Sequence, residues 1–233
     1  MLVIFDCDGV LVDSEALACQ VDADLLTELG IPYTREEIIR QFVGVSLKDM
    51  ITRIEGDRGC TLPADFGETL NRTLYARFES ELQPIPGVRE AILALPHRRC
   101  VASSSLPERI AFSLRLTGLD DLFEHIFSAS EVARGKPAPD LFLHAAARME
   151  MPPAQCLVIE DSIAGVQAAR AAGMKVIGFA GGGHCGSDHA DKLKAAGASV
   201  VVERMSELAH SASEIARLEA QIQYESDVSA PSR

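Results

Sequence analysis

The chain has 233 residues, of which 47% are hydrophobic and 24% are charged, and both fractions are ordinary for a globular protein. Its formal net charge of −12 disfavours a polyanionic partner such as nucleic acid, because no basic patch offsets the charge. The cysteines are isolated and the chain starts without a secretion signal, which predicts a cytoplasmic protein. No membrane span is expected, because there is no long apolar run.

Short apolar runs alternate with helical patterns along most of the chain, and this alternation predicts an α/β fold with a parallel sheet between helices. The predicted strands cover residues 2–5, 99–102, 156–159, 175–179 and 199–202. The predicted helices cover residues 87–95, 107–117, 139–149, 162–172 and 188–196. Because ligands bind beyond the carboxyl ends of the strands in such sheets, we expect the chemistry there.

A segment without strands interrupts this alternation near the start of the chain. Apolar residues recur at helical spacing from Leu17 to Leu29, and further helices are predicted over 34–42, 46–57 and 64–80. We interpret residues 14–84 as an inserted helical domain, residues 1–13 and 85–222 as the core, and 223–233 as a flexible tail. Hinges are expected at 13–15 and 83–86, where the chain crosses between the two domains.

Two acidic residues, Asp6 and Asp8, follow the first predicted strand and precede Gly9, which permits a tight turn. In that arrangement Asp6 can attack phosphorus as a carboxylate nucleophile while Asp8 transfers protons. An Asp-x-Asp-Gly segment on its own is also common in surface turns and calcium loops. The position after a buried strand favours the catalytic interpretation.

Candidate phosphate-binding residues occur in two later segments. Ser103 and Ser104 follow the second strand and precede a helix start, where hydroxyl and backbone N–H groups can bind phosphate, although such serines also cap helices. Lys136 lies between Gly135 and Pro137, which restrict it, so it can neutralise a phosphate, although most lysines are solvated.

A pair of acids, Glu160 and Asp161, follows the strand over 156–159. Carboxylates at this position are compatible with a Mg²⁺ site, because Mg²⁺ binds oxygen ligands together with phosphate and water. Asp161 is also a plausible helix N-cap.

The four segments in this order resemble the haloacid dehalogenase superfamily, specifically its members with an α-helical cap inserted after the first motif. The resemblance covers residues 2–202 and implies a Rossmann-like core, with Asp6 as nucleophile and Asp8 as general acid and base. It implies that Asp6, the Asp8 backbone carbonyl and Asp161 bind Mg²⁺, with Glu160 close to the metal. Ser103 and Lys136 correspond to the phosphate-binding residues.

Within this family, the chain is similar to phosphatases of sugar phosphates and sugar-acid phosphates, including 6-phosphogluconate phosphatases, and to β-phosphoglucomutase. Mutase-like members place a histidine and an arginine in the cap, where this chain has Ala18 and Leu47. These differences favour hydrolysis of a small phosphorylated metabolite. A sugar phosphomutase and a non-catalytic phosphate-binding protein are the alternatives, and the oligomeric state stays open.

Four residues of the cap are the candidates for substrate recognition: Glu15, Ser46, Lys48 and Arg77. Lys48 and Arg77 are the cations that could bind a substrate carboxylate, although solvated helix faces explain them equally well. The run from Gly181 to His184 is interpreted as a flexible turn, and no histidine is assigned a catalytic role.

Overall fold

The fold is centred on a six-stranded parallel sheet, seen in a computed structural model that describes residues 1–43, 45 and 47–229. Along the sheet the strand order is β3-β2-β1-β4-β5-β6. The strands are β1 (Leu2–Phe5), β2 (Arg98–Ser103), β3 (Ile126–Ser128), β4 (Cys156–Glu160), β5 (Lys175–Phe179) and β6 (Val200–Val202). The predicted parallel α/β core is therefore confirmed.

The central strands are buried on both faces, which is why they are continuous apolar runs instead of alternating patterns. In the register, Phe5 at the end of β1 lies between Val101 of β2 and Ile159 of β4. The residues that follow these three strands consequently emerge side by side, beyond the carboxyl ends of the strands.

Helices cover both faces of the sheet and bury two separate hydrophobic clusters. Val3 and Phe5 face one cluster, whereas Leu2 and Ile4 face the other, as expected from the two-residue period of a strand. The core helices are α5 (Val88–Leu93), α6 (Pro107–Leu116), α7 (Asp140–Arg148), α8 (Ile163–Ala171), α9 (His189–Ala196) and α10 (Leu208–Ser229).

The cap is built from four helices that lie between β1 and α5: α1 (Ser14–Glu28), α2 (Arg35–Phe42), α3 (Leu47–Arg58) and α4 (Phe66–Glu81). A reciprocal capping box between Thr34 and Glu37 starts α2. The two chain crossings into the core are joined by backbone hydrogen bonds, from Asp13 N–H to the Gln83 carbonyl at 3.0 Å and from Ile85 N–H to the Leu11 carbonyl at 2.9 Å. These bonds pair the two crossings with each other, and the action of the crossings as hinges stays a prediction.

Two elements of the core were not predicted from the sequence. β3 has three residues at the edge of the sheet, which is too short for an apolar period. α10 continues to Ser229, through much of the segment predicted as a tail, and residues 230–233 lie outside the described part. No helix among the described residues is long and apolar enough to cross a membrane.

The side chain of Asp22 in α1 provides a test of the packing of the cap. Burial raises the pKa of this carboxyl from 3.8 to about 7, so the folded chain holds a proton on Asp22 at pH values where the unfolded chain has lost it. The folded state therefore loses stability as the pH rises through this window, and the loss is complete above pH 7.

We predict that Asp22→Asn stabilises the protein by about 1–3 kcal/mol at pH 8 and has little effect near pH 4. Urea unfolding of both proteins at the two pH values measures the difference. Asp57→Asn, at an exposed position of α3, is the control and should show no such pH dependence. An equal effect of Asp22→Asn at pH 4 and pH 8 would contradict the assigned cause.

Candidate active site

The loop after β1 carries two carboxylates at the carboxyl ends of the strands. Its start is held by a hydrogen bond from Asp6 N–H to the Ile159 carbonyl at 3.0 Å, and Gly9 N–H donates to the Val12 carbonyl at 2.8 Å. Gly9 has a φ of 81°, and a β-carbon there would overlap the Asp161 carboxylate. Only glycine therefore allows the turn and the close approach of Asp161.

Lys136 is buried and joins two of the candidate acids. Its ammonium donates to Asp6 Oδ1 and to Glu160 Oε1, each at 2.6 Å, and to the Ala102 carbonyl at 3.3 Å. The relative exposure of the three side chains is 6% for Lys136, 10% for Asp6 and 1% for Glu160. The structure thus places Lys136 against the proposed nucleophile, as expected for a residue that neutralises charge at this position.

The carboxylate of Glu160 has hydrogen-bond donors on both oxygens. In addition to Lys136 at Oε1, the Ser162 N–H and hydroxyl donate to Oε2 at 2.8 Å and 2.9 Å. A β-carbon on Gly165 would overlap this carboxylate, so the first turn of α8 must have a glycine there. Glu160 is therefore fixed in position and in turn holds the Lys136 ammonium.

Asp6, Glu160 and Asp161 offer carboxylate oxygens that lie within 4.8 Å of one another, and all three residues are buried. Like charges at this separation repel strongly in a buried site unless a cation lies among them. This oxygen-only donor set fits a hard divalent cation such as Mg²⁺. The carboxylate of Asp8 is outside this group, which agrees with the expectation that Asp8 would contribute its backbone carbonyl.

Burial raises the pKa of the Asp6 carboxyl well above its usual value, and the positive charge of Lys136 lowers this pKa only in part. The negative charges of Glu160 and Asp161 raise it further. Burial also disfavours the charged form of Lys136, but the adjacent Asp6 and Glu160 carboxylates outweigh it and raise the pKa of the ammonium. Lys136 is therefore a permanent cation, and a metal among the carboxylates would likewise favour ionised Asp6.

The carboxylate of Asp8 is oriented by three donors from separate elements. The Ser14 and Ser105 hydroxyls donate to Oδ1 and Oδ2, each at 2.6 Å, and Arg109 Nη2 donates to Oδ1 at 3.3 Å. Sequence analysis assigned no role to Ser14, Ser105 or Arg109. Of these three residues, only Ser105 could have been noticed in the sequence, because it adjoins Ser103 and Ser104. Arg109 comes close to Asp8 only when the chain folds.

The structure also brings the predicted phosphate-binding serines to the carboxyl ends of the strands, where Asp6 and Lys136 lie. Ser103 is buried and its hydroxyl accepts a hydrogen bond from Ser105 N–H at 3.1 Å, whereas Ser104 is exposed. Both border the cleft that contains Asp6 and Lys136. Four separated segments of the sequence therefore meet at one site.

The loop between β5 and α9 forms a turn, as predicted, and packs against the site, while its flexibility stays a prediction. Gly183 N–H donates to Asp13 Oδ1 at 3.0 Å, and a β-carbon on Gly181, Gly182 or Gly183 would collide with neighbouring atoms. His184 is 5% exposed, and its Nε2 lies 3.0 Å from Asp161 Oδ2. The glycines thus let the loop approach the core closely enough to bring His184 to Asp161.

Two titratable groups of this loop have altered pKa values. Burial opposes protonation of His184, but the hydrogen bond with Asp161 outweighs it and raises the pKa of the imidazole to about 11. Burial favours the neutral form of Cys185, yet hydrogen bonds with His184 and His189 lower the pKa of the thiol. The sequence held no spacing signal for this cluster.

A cleft of about 1120 Å³ lies over the carboxylates, between the core and the cap. On the side of the cap it is bordered by Glu15 at the start of α1 and by residues of α2: Arg35, Glu36, Ile39 and Arg40. Burial and the nearby charges of Asp8 and Asp161 raise the pKa of Glu15 to about 7. Glu15 is therefore the predicted cap residue that the structure brings to the site.

Lys48 and Arg77, the cations predicted to bind the substrate, do not border this cleft. Arg77 donates to Asp24 Oδ2 at 2.8 Å and pairs with Glu81, so its charge holds α4 against α1. Lys48 is exposed at the start of α3. Ser46 lies outside the described residues. Arg35 and Arg40 replace Lys48 and Arg77 as candidate cations of the cap.

Comparison with known proteins places the chain in one family. Residues 3–179 match the family model of haloacid dehalogenase-like hydrolases. The chain is 35% identical to the 6-phosphogluconate phosphatase of Escherichia coli K12 over 184 residues, which cover 78% of this chain and 83% of that protein.

Two solved structures are similar over nearly the whole chain. A conserved haloacid dehalogenase-like protein of unknown function from Agrobacterium tumefaciens superimposes with a TM-score of 0.87 at 42% identity, covering 92% of this chain and 98% of that one. A haloacid dehalogenase family hydrolase from Deinococcus radiodurans with bound phosphate and sodium superimposes with a TM-score of 0.80 at 35% identity, covering 89% and 92%. The fold is thus shared over both core and cap.

The buried ion pairs of Lys136 lead to a prediction about stability. Lys136→Met keeps most of the apolar stem but leaves Asp6 and Glu160 without their cation, so we expect a loss of about 3–5 kcal/mol in metal-free buffer. Urea denaturation at neutral pH measures it. Lys192→Met is the control, because that ammonium is 53% exposed, pairs with exposed Asp188 and should change stability by less than about 0.5 kcal/mol. Equal stability of the two variants would contradict the role of Lys136.

Proposed function

The chain belongs to the haloacid dehalogenase-like hydrolases and is a phosphatase of that family, and we propose that it uses Mg²⁺ to hydrolyse a small sugar or sugar-acid phosphate through a phospho-Asp6 intermediate. The observation that carries the proposal is the buried contact of Asp6 with Lys136 at the base of the cleft. It keeps a carboxylate and a permanent positive charge together where a phosphate group would enter.

The proposed reaction has two steps. In the first, an Asp6 oxygen attacks phosphorus, the bond from phosphorus to the ester oxygen breaks, and the leaving alcohol takes a proton from Asp8. In the second, water attacks the phosphoaspartate, Asp8 takes its proton, and inorganic phosphate leaves with Asp6 restored. Lys136 and the Ser103 segment stabilise the charge on the phosphoryl oxygens.

The environment of Asp8 supports its assignment as the proton carrier. Donors from the cap, from the Ser103–Ser105 segment and from α6 hold its carboxylate beside Asp6. A proton carrier must keep a fixed direction relative to the leaving oxygen, which these three bonds provide.

The donor set around Asp6 supports the proposed cofactor. Asp6, Asp161 and the Asp8 backbone carbonyl are the candidate Mg²⁺ ligands, with Glu160 adjacent. When bound, Mg²⁺ would neutralise charge between the carboxylates and the phosphate, which is its usual contribution to phosphoryl transfer.

The cations of the cleft support an anionic metabolite as substrate. Besides Lys136, the cleft is bordered by Arg35 and Arg40 from the cap and by Arg109 from the core. Arg35 Nε has no hydrogen-bond partner in the described structure, and its nearest opposite charge is the exposed carboxylate of Glu36, 3.9 Å away. A second negative group on the substrate, such as the carboxylate of a sugar acid, would satisfy such a guanidinium. The relative that acts on 6-phosphogluconate makes that compound the first to test.

The alternative of a sugar phosphomutase receives less support from the cap. At the two positions where mutase-like members carry a histidine and an arginine, Ala18 packs against the hydrophobic core and Leu47 is partly exposed. Neither side chain can bind the second phosphate that a mutase must retain. The non-catalytic alternative is set aside, because the chain belongs to a hydrolase family and is a phosphatase.

We predict that the purified protein releases inorganic phosphate from p-nitrophenyl phosphate and from sugar phosphates with Mg²⁺, and that a chelator stops the reaction. Asp6→Asn keeps the shape but removes the nucleophile, so the rate should fall by more than about 10³-fold. Asp57→Asn is the matched control and should retain full activity. Activity persisting in Asp6→Asn would refute the nucleophile, and isomerised sugar phosphate exceeding free phosphate would favour the mutase.

A second prediction concerns recognition of the substrate. Arg35→Gln should raise KM for 6-phosphogluconate by about tenfold, because a charged hydrogen bond is lost, but should change KM for p-nitrophenyl phosphate by less than about twofold. Lys48→Gln is the control for a cap cation outside the cleft and should change neither value. If Lys48→Gln had the larger effect, the assignment of Arg35 would be wrong.

A further inference from the structure

Three metal-binding side chains gather beside the cleft without a role in the proposed reaction. The loop after β5 and the first residue of α9 bring together His184, Cys185 and His189, whose ligand atoms all lie within 4.8 Å of one another. They offer two imidazoles and a thiol, whereas Asp6, Glu160 and Asp161 offer only oxygen. The two groups are therefore suited to different classes of metal ion.

The separation of two of the donors fits a tetrahedral site. Cys185 Sγ lies 3.6 Å from His184 Nε2. In a tetrahedral zinc centre with bonds of about 2.3 Å to sulfur and about 2.1 Å to nitrogen, these two ligand atoms are separated by about 3.6 Å. The pair is thus already at the separation that such an ion requires.

The third ligand is oriented by a bond on the opposite side of its ring. His189 Nε2 lies 2.6 Å from the backbone carbonyl of Asp161. Because a carbonyl oxygen only accepts, Nε2 must carry the proton, and in the neutral ring the lone pair is on Nδ1, the nitrogen left to meet the Cys185 thiol. A histidine that donates one N–H to a carbonyl and presents its other nitrogen is the usual arrangement of a metal ligand.

Close packing around His184 positions the loop that carries these residues. The ring of His184 packs against Gly9 and Gly182, where a β-carbon on either residue would meet its Cε1 atom at 3.0 Å or less. His184 is 5% exposed, while Cys185 and His189 are half-buried and border the cleft. A metal ion held by the three side chains would therefore have its fourth position directed to the cleft.

We propose that His184, Cys185 and His189 form a second metal site, specific for a borderline-soft divalent cation such as Zn²⁺, with a water or substrate oxygen as the fourth ligand. The site is separate from the oxygen-only site and does not depend on the proposed function. Metal uptake would replace the present contact of His184 Nε2 with Asp161 Oδ2, at 3.0 Å, by a bond to the metal ion.

Cobalt(II) is the probe, because it replaces zinc and reports its ligands by absorption. The full-length protein is reduced, stripped of metal and titrated with Co²⁺ in excess Mg²⁺, which occupies the oxygen site. We expect thiolate-to-cobalt charge transfer in the near ultraviolet and intense tetrahedral bands in the visible, both saturating at one ion per chain and both displaced by Zn²⁺. Absence of charge transfer in the unmodified protein at saturating Co²⁺ overturns the proposal, and so does saturation at a different ratio.

Variants identify the ligands. Cys185→Ser should abolish the charge-transfer band, and His189→Gln should weaken Co²⁺ binding by more than about tenfold. Cys60→Ser, which removes another half-buried thiol outside the cleft lining, is the matched control and should leave the spectrum unchanged. A band that survives in Cys185→Ser or disappears in Cys60→Ser assigns the thiolate elsewhere and rejects the site. Circular dichroism melting confirms that each variant is folded. If Cys185→Ser does not fold, the spectra of the unmodified protein and of Cys60→Ser decide the question.

Discussion

The contacts of the Lys136 ammonium with Asp6 and Glu160 hold together the part of the molecule on which the chemistry depends. Desolvating three charges is costly, and buried ion pairs of this kind stabilise a fold only when their geometry and hydrogen bonds are good. The sheet provides that geometry, since β1 and β4 are neighbours and Phe5 pairs with Ile159, so Asp6 and Glu160 emerge together. The order of the strands is thus a requirement of the site.

The roles proposed for the two carboxylates of one short loop differ because their surroundings differ. Asp6 is buried against an ammonium and two further carboxylates, whereas Asp8 accepts hydrogen bonds from two hydroxyls and a guanidinium. A carboxylate among like charges and a cation is suited to metal binding and attack, and one that three donors hold in a fixed direction is suited to proton transfer. The tight turn at Gly9 makes this division possible, because it points neighbouring residues in different directions.

The sequence was sufficient to predict the features that depend on local pattern. Buried strands and helix boundaries follow from periodicity, and Asp6, Ser103 and Asp161 lie at or just after the ends of predicted strands, whereas Lys136 was found from its position between Gly135 and Pro137. Contacts between distant segments could not be predicted, since nothing local distinguishes Arg109, which reaches Asp8, from Arg77, which binds Asp24. The same limit applies to β3, which is defined only by pairing with β2.

The cap, the nucleophile loop and the histidine loop meet at Asp13, and this junction links their positions. Asp13 precedes α1, its N–H donates to Gln83 at the return crossing, and its carboxylate accepts from Gly183 N–H. Ser14, the next residue, donates to Asp8. A rotation of the cap about the paired crossings therefore acts on the hydrogen bond that orients Asp8 and on the anchor of the loop that carries His184. Because a hinge absorbs its motion in a few residues, closure of the cap as predicted would act through Asp13 and Ser14 on the orientation of Asp8, the proposed proton carrier.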